Sequence, residues 1–177
     1  MRLPPAPMHG FTMVELLVTI SIVGILTMIA VPSLTTFIQN QRLATATNSL
    51  VLSLNYARSE AIKRSVPNGI TVCASTDQQT CNGASWSQGW VVEDVTNASG
   101  PLQAATSIGS NDTINEAAGQ LAVVFLSSGA TTAPASFRIC DSRGGPYAHS
   151  IDVSSTGRVL SAQTPGFTVY GVALGCP

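Results

Sequence analysis

The chain has 177 residues, enough for one membrane-spanning helix and one modest domain. Only 10% of the residues are charged and the formal net charge is −1, so composition excludes a strongly basic nucleic-acid-binding domain. Glycine, serine, threonine, alanine and asparagine are plentiful, which favours a loop-rich β domain.

An apolar segment of membrane length begins soon after the amino terminus. Residues 1–10 contain an arginine, a histidine and prolines and predict neither a helix nor a membrane segment. No charged residue occurs between Glu15 and Arg42, and residues 13–34 can span the roughly 30 Å of hydrocarbon in a bilayer. Glu15 is therefore a lone carboxylate at the start of the span. Because an unpaired charge is costly in hydrocarbon, we hypothesise that Glu15 has a function. Pro32 lies inside the span and predicts a kink.

A helical pattern continues beyond the apolar segment. Apolar residues recur at spacings of three or four, which marks one helix face: Leu43, Ala46, Leu50, Leu54, Ala57 and Ala61. The opposite side is polar and carries Arg42, Asn48, Asn55, Ser59 and Lys63. A Pro-Asn-Gly sequence ending at Gly69 stops the pattern. We therefore predict one continuous helix from Phe11 to about Arg64.

The remainder of the chain predicts short strands between turn residues. The predicted strands cover residues 70–73, 90–95, 121–126, 137–140, 150–153, 158–161 and 167–173. Residues 97–119 are polar and rich in small residues, which predicts a long loop or a weak edge strand. The sequence thus indicates a helix first and a small β-rich domain after it.

Four cysteines lie beyond the apolar segment, where they would reach an oxidising compartment. An even count there favours two disulfides over a metal site, and no C-x-x-C pair is present. Four cysteines allow three connectivities. We favour Cys73 with Cys81, a short loop, and Cys140 with Cys176, which would hold the carboxyl terminus, and the other two remain open.

The stretch Gly10-Phe11-Thr12-Met13-Val14-Glu15-Leu16-Leu17 resembles the type IV prepilin signal of pilins and pseudopilins. The resemblance implies that a prepilin peptidase cleaves after Gly10 and methylates the new amino terminus on Phe11. It also implies that Glu15 pairs with the Phe11 amine of a neighbouring subunit during filament assembly, and that Pro32 marks a segment that kinks or melts in the fibre.

The globular part resembles the FimT/GspH/FimU family. The similar segments are A-R-S-E-A-I-K-R from Ala57, W-S-Q-G-W-V-V from Trp86, F-R-I-C-D from Phe137 and T-G-R-V from Thr156. The resemblance implies a pilin-like α+β fold, with a long N-terminal helix packed on small antiparallel sheets. The implied divisions are a leader at 1–10, a membrane and filament-core helix at 11–38, its amphipathic half at 39–66 and a periplasmic domain at 67–177.

Three functions within this family remain open. The first is a FimU-like minor pilin of the complex that primes a type IV pilus and lies at its tip, with other minor pilins, the major pilin and a tip adhesin as partners. The second is a GspH-like pseudopilin of a type II secretion system. The third is a FimT-like minor pilin that binds double-stranded DNA, but its G-R-x-R motif is matched only by Gly157 and Arg158, because Leu160 occupies the second arginine position. Arg138 and Arg143 are further candidate DNA contacts.

Catalysis is not expected. His149 and Asp152 are three apart on a predicted strand and would point to opposite faces, and no nucleophile elbow, phosphate loop or zinc-protease motif occurs. No cofactor or metal is expected. The expected location is the inner membrane, crossed once, with a periplasmic domain and later incorporation into an extracellular pilus.

Overall fold

A computed structural model describes residues 10–96, 100–106, 108–109 and 111–176. Most of the predicted leader, residues 1–9, lies outside the described residues. The chain forms two compact units, Met1–Ile38 and Gln39–Pro177, and each is described by itself below. Helix α1, Met13–Arg64, begins in the first unit and ends in the second.

The part of α1 in the first unit is apolar on all sides and exposed. Its most apolar window of 18 residues has a mean hydropathy of 2.4 and no buried residue, so this helix is long and apolar enough to cross a membrane. Most of its hydroxyl groups donate to carbonyl oxygens one turn back, as Thr19 does to Leu16 at 2.8 Å. Such internal bonds satisfy polar side chains that would otherwise face hydrocarbon unpaired. The helix continues through Pro32, whose carbonyl oxygen accepts bonds from Thr35 and Thr36.

The part of α1 in the second unit is amphipathic, as predicted. All six residues of the predicted apolar face are buried, whereas the polar residues opposite them are exposed. The helix ends at Arg64, and Ser65 adopts a positive φ of 51°. The stop therefore comes slightly before the Pro-Asn-Gly sequence.

Two four-stranded antiparallel sheets follow the helix. The strands are β1 Ile70–Ala74, β2 Gly89–Glu93, β3 Gln103–Thr106, β4 Thr113–Glu116, β5 Ala122–Phe125, β6 Ala135–Cys140, β7 His149–Val153 and β8 Val159–Ser161. The first sheet has the order β3-β2-β1-β5 and the second has the order β4-β6-β7-β8. This arrangement of one helix and two small sheets confirms the predicted pilin-like α+β fold.

Besides shifts of one or two residues at several strand ends, three differences from prediction have a physical reason. Strands β3 and β4 lie within the predicted loop region, where small and polar residues gave little β signal. Strand β2 ends at Glu93 because the Asp94 side chain accepts the Thr96 N–H and forms a turn. The predicted strand over 167–173 is wrong: Thr168 and Gly171 close a tight turn, and one isolated bridge joins Phe167 to Ala173.

The core of the second unit joins the buried face of α1 to both sheets. Trp86 packs edge-to-face on Phe137, with ring centroids 4.9 Å apart. The Trp90 indole N–H donates to the buried Ser53 hydroxyl on α1 at 2.9 Å. Both tryptophans are therefore core residues, and each indole is hydrogen-bonded, since Trp86 donates to the Gln120 carbonyl oxygen.

Candidate functional site

The amino-terminal end of α1 brings together the residues of the predicted assembly site. Thr12 caps the helix: its hydroxyl oxygen accepts the Glu15 backbone N–H at 3.2 Å, and its carbonyl oxygen accepts the Leu16 N–H. Phe11 is 82% exposed, and Glu15 lies in the first helical turn with an exposed side chain. A carboxylate in this position also interacts favourably with the helix dipole. The signal for this cap in the sequence is the spacing of Thr12 from Glu15, which is that of a capping box and was not among the predicted features.

The structure pairs the four cysteines as the sequence analysis favoured. Cys73 is bonded to Cys81, eight residues away, and Cys140 is bonded to Cys176, 36 residues away. The first bond closes a loop after β1, and the second ties the carboxyl-terminal segment to the end of β6. The Glu93 carboxylate lies beside the first pair, but both sulfurs are already in a disulfide and cannot ligate a metal as thiolates.

The candidate DNA-binding arginines do not form a shared patch, and Arg143 is neutralised. Its guanidinium forms an ion pair with Asp141 at 2.6 Å and donates to the Asn40 side chain at 2.8 Å. The same group lies 4.2 Å from the centre of the Tyr147 ring, and its side chain is only 16% exposed. Little of this charge is available to an external phosphate.

Arg138 and Arg158 are on the outer face of the second sheet but far apart. Arg138 is opposite Ser150 on β7. Arg158 is opposite Ser154, four residues after Ser150, because the Ser154 N–H donates to the Arg158 carbonyl. This register and the two intervening strand spacings place their backbones roughly 17 Å apart. The carboxylate of Asp152 lies on the same face between them. The Arg138 side chain is half-buried and donates a hydrogen bond to the Gly175 carbonyl. Of the three candidate arginines, Arg158 is therefore the exposed one.

Arg58 has a structural role that sequence analysis missed. Its guanidinium donates to the Gly129 carbonyl at 3.0 Å and to the Thr156 carbonyl at 3.3 Å, and so joins α1 to two loops of the β domain. Gly157 sits in this contact with φ of +74°, and an added Cβ would be 1.9 Å from the Gly129 oxygen. The only available signal was that Arg58 and Gly157 both lie in segments that resemble family motifs.

Burial lowers the pKa of His149, which favours its neutral form. The residue lies at the start of β7 and faces a groove formed with Asn40, Tyr147 and Pro165. It shares this groove with no carboxylate or nucleophile. The described residues thus bring no acid–base pair together around it.

Comparison with known families identifies the two parts of the chain. The family model described as "Prokaryotic N-terminal methylation motif" matches residues 7–31. The model described as "Type II transport protein GspH" matches residues 46–157, more than half of the chain. The chain belongs to the GspH family. With its N-methylation motif it is a pilin of the FimT/GspH/FimU type, as the resemblance implied.

Two solved structures have a similar fold, and both are crystal forms of the type IV minor pilin FimU from Pseudomonas aeruginosa PAO1. One is 25% identical, with a TM-score of 0.53, and covers 67% of this chain and 91% of its own. The other is 21% identical, with a TM-score of 0.56, and covers 72% of this chain and 98% of its own. The comparison with curated proteins gives no significant match.

The comparisons set the broad class of the protein. Proteins of this family are structural pilins and pseudopilins rather than enzymes, and members assemble with other pilins after processing by prepilin peptidase. The apolar helix and the N-methylation motif indicate membrane anchoring and incorporation into a pilus-like filament.

Proposed function

We propose that this chain is a FimU-like minor pilin of a type IV pilus and a structural subunit of the minor-pilin complex that primes assembly and lies at the tip. One observation carries the proposal: an N-methylation segment is joined to a domain with the fold of a FimU minor pilin. The disulfide-bonded carboxyl-terminal segment after F-R-I-C-D adds support, because the sequence resembles FimU-like pilins there.

The parts of the chain have successive roles in this proposal. Prepilin peptidase removes residues 1–10 by cleavage after Gly10 and methylates Phe11. Residues 11–38 anchor the protein in the inner membrane and later enter the filament core. Residues 39–66 carry the β domain, and residues 67–177 contact other minor pilins, the major pilin and a tip adhesin from the periplasmic side.

Glu15 provides the chemistry of assembly. Its side chain is exposed, and it makes no side-chain hydrogen bond or ion pair with the described residues. A lone carboxylate and a lone amine are each costly in hydrocarbon, and two opposite charges that leave water together cost less than either alone. Pairing of Glu15 with the Phe11 amine of a neighbour therefore favours the transfer of the helix from lipid to filament.

A pair of matched variants tests this role. Glu15→Ala is expected to leave cleavage after Gly10 largely intact and to reduce the amount of the protein in sheared pili. Val14→Ala is the control, because Val14 is 69% exposed and its truncation removes apolar surface without a charge. Normal incorporation of the Glu15 variant would contradict the proposed pairing.

The choice between pilus and secretion system needs a different measurement. Deletion of the gene is expected to reduce the number of surface pili and to leave secreted enzymes in the medium unchanged. The opposite pattern would assign the chain to a type II secretion system as a pseudopilin.

DNA uptake is the remaining alternative, and the exposure of Arg158 is the observation in its favour. Phosphate binding strengthens with the number of cationic contacts, and the structure offers few here. We expect no gel shift of double-stranded DNA at low salt. Salt-sensitive binding that Arg158→Ala abolishes would instead support the DNA-uptake function.

A further inference from the structure

The carboxyl-terminal part of the second unit is a long segment without charged residues. Residues 159–176 contain no Asp, Glu, Lys, Arg or His. They include β8 and the turn at 167–172, which exposes Phe167, Tyr170 and Val172 by 44%, 77% and 64%. We call β8, this turn and the adjacent Asp152 the β8 surface. Large exposed apolar side chains that cluster in one segment mark interaction sites more often than scattered ones.

The outer edge of β8 has backbone groups available for another strand. Strand β8 is the last strand of its sheet. Ser154 N–H donates to the Arg158 carbonyl, and Ala162 N–H donates to the Ser150 carbonyl. Bonded and non-bonded pairs alternate in an antiparallel ladder, so Val159 and Ser161 direct their N–H and C=O groups away from β7. An extended segment could pair with this edge, as in β-strand addition.

The neighbouring turn is ordered before any partner arrives. The Thr168 N–H donates to the Val172 carbonyl, and the Val172 N–H donates to the Thr168 hydroxyl oxygen. The Thr168 carbonyl also accepts the Gly171 N–H at 3.0 Å. Buried Leu174 and the disulfide to Cys176 hold the segment that follows. Because the exposed side chains stand on a fixed backbone, little ordering cost remains for binding. A groove of about 440 Å³ runs between this turn and β8.

Asp152 contributes an unused acceptor on the other side of the turn. Its Oδ2 atom is buried and has no hydrogen-bond partner among the described residues. It lines a groove of about 410 Å³ together with Glu116 and Tyr170. The Glu116 carboxylate already accepts three backbone N–H groups, so it is satisfied within the fold. A buried acceptor without a partner is costly, and a cation from outside would satisfy it.

We propose that the β8 surface binds an extended strand from the β domain of another pilin-family subunit, with uncharged apolar side chains against the turn and one Lys or Arg at Asp152. This rests on the proposed function, because it names a docking surface for the minor-pilin complex. The three-residue edge of β8 is too short to hold a partner alone, so the apolar turn and the carboxylate supply the rest.

A second copy of this chain fits the surface poorly. The edge strands β3, β4 and β5 carry no Lys or Arg that could reach Asp152 from another copy. The surface therefore favours a different subunit.

The test uses the full chain in cells that also produce the other pilin-family subunits of the same organism. A photo-crosslinking amino acid replaces Val172, and the same replacement at Val95, which is 60% exposed and elsewhere on the domain, is the control. Mass spectrometry maps the crosslinked peptides. We expect position 172 to crosslink to a predicted strand containing Lys or Arg in another pilin-family subunit, and position 95 not to do so.

Two further variants at the β8 surface, with one control variant, test the proposal. Asp152→Ala is expected to lower the crosslink yield by roughly tenfold or more, the loss for one charge-assisted hydrogen bond. Ser161→Pro removes an outward N–H that is not part of the ladder with β7, and Ser161→Ala retains this donor as its matched control. Unchanged melting temperatures of the variants would show that folding is intact.

Several outcomes would overturn the proposal: crosslinks only to lipid or to a second copy, no crosslinks at position 172, or a yield that Asp152→Ala leaves unchanged. Pilus counts in the deletion strain test the proposed function separately. Lost pili without a strand crosslink would refute the surface alone, whereas a strand crosslink with normal pili would refute the pilus role and support the surface.

Discussion

Removal of the disulfide between Cys140 and Cys176 should destabilise the β domain more than removal of the shorter one. The two bonds join residues 36 and 8 positions apart. Loop-closure entropy assigns about 3.8 kcal/mol to the longer loop and about 2.5 kcal/mol to the shorter one at 25 °C. For a unit the size of Gln39–Pro177, the unfolding entropy converts these into losses of about 13 °C and about 9 °C in Tm.

The two double serine variants form a matched pair. Cys140 and Cys73 are both buried, at 2% and 1% exposure, and their partners are more exposed. Each double variant therefore buries one hydroxyl group, and this cost largely cancels in the comparison. The assay is thermal unfolding of the detergent-solubilised full chain, followed by near-UV circular dichroism of the buried tryptophans.

The difference between the two variants decides the result. Cys140→Ser with Cys176→Ser is expected to have the lower Tm, because a longer loop constrains the unfolded chain more. An unchanged Tm for this variant would refute the pairing of these cysteines. A larger loss for Cys73→Ser with Cys81→Ser would refute the loop-entropy reasoning.

Three smaller perturbations test contacts within the domain. In urea titrations, Gly157→Ala should lower the free energy of unfolding by about 3 kcal/mol or more, because the new Cβ meets a backbone oxygen. Gly171→Ala is the control: the residue has a similar φ but open space around it, so the loss should be about 1 kcal/mol. Ser53→Ala leaves the buried Trp90 indole N–H unpaired and should cost about 1–3 kcal/mol, and equal midpoints for variant and parent would contradict this. The hydrogen bond from Arg64 lowers the pKa of Glu60, so this ion pair stabilises the fold at neutral pH and the stabilisation is lost as the pH falls below about 4.5. The Tm of Glu60→Gln should therefore decrease less on acidification than the Tm of the parent.

Much of the fold follows from local patterns. The apolar run and the three-and-four spacing that follows it predicted α1 and its buried face, because a helix repeats every 3.6 residues wherever it lies. Six of the seven predicted strands are present, with shifted ends. The additional strands β3 and β4 have short, polar or small-residue sequences, and their pairing with β2 and β6 is what makes them strands.

Some features of the candidate sites could also be predicted from the sequence. Glu15 and the Gly10-Phe11 junction are apparent from the chain because they belong to one motif of consecutive residues. The burial of Glu60, a charged residue, has a local reason as well, since it lies three residues after buried Ala57 on the helix. Hydrophobic periodicity therefore also predicts where a charged residue borders the core.

Composition, periodicity and the N-terminal motif established the class of the protein, because those signals come from residues close together in the chain. The surface charges were decided by contacts between distant residues. Arg143 is neutralised by Asp141, two positions away, and is held to α1 by its hydrogen bond to Asn40, 103 positions away. The register of β6, β7 and β8 puts Asp152 between Arg138 and Arg158, and its Oδ2 atom has no hydrogen-bond partner among the residues that the structure describes. Electrostatic pairing depends on distances of a few ångströms, and only the folded chain sets those distances.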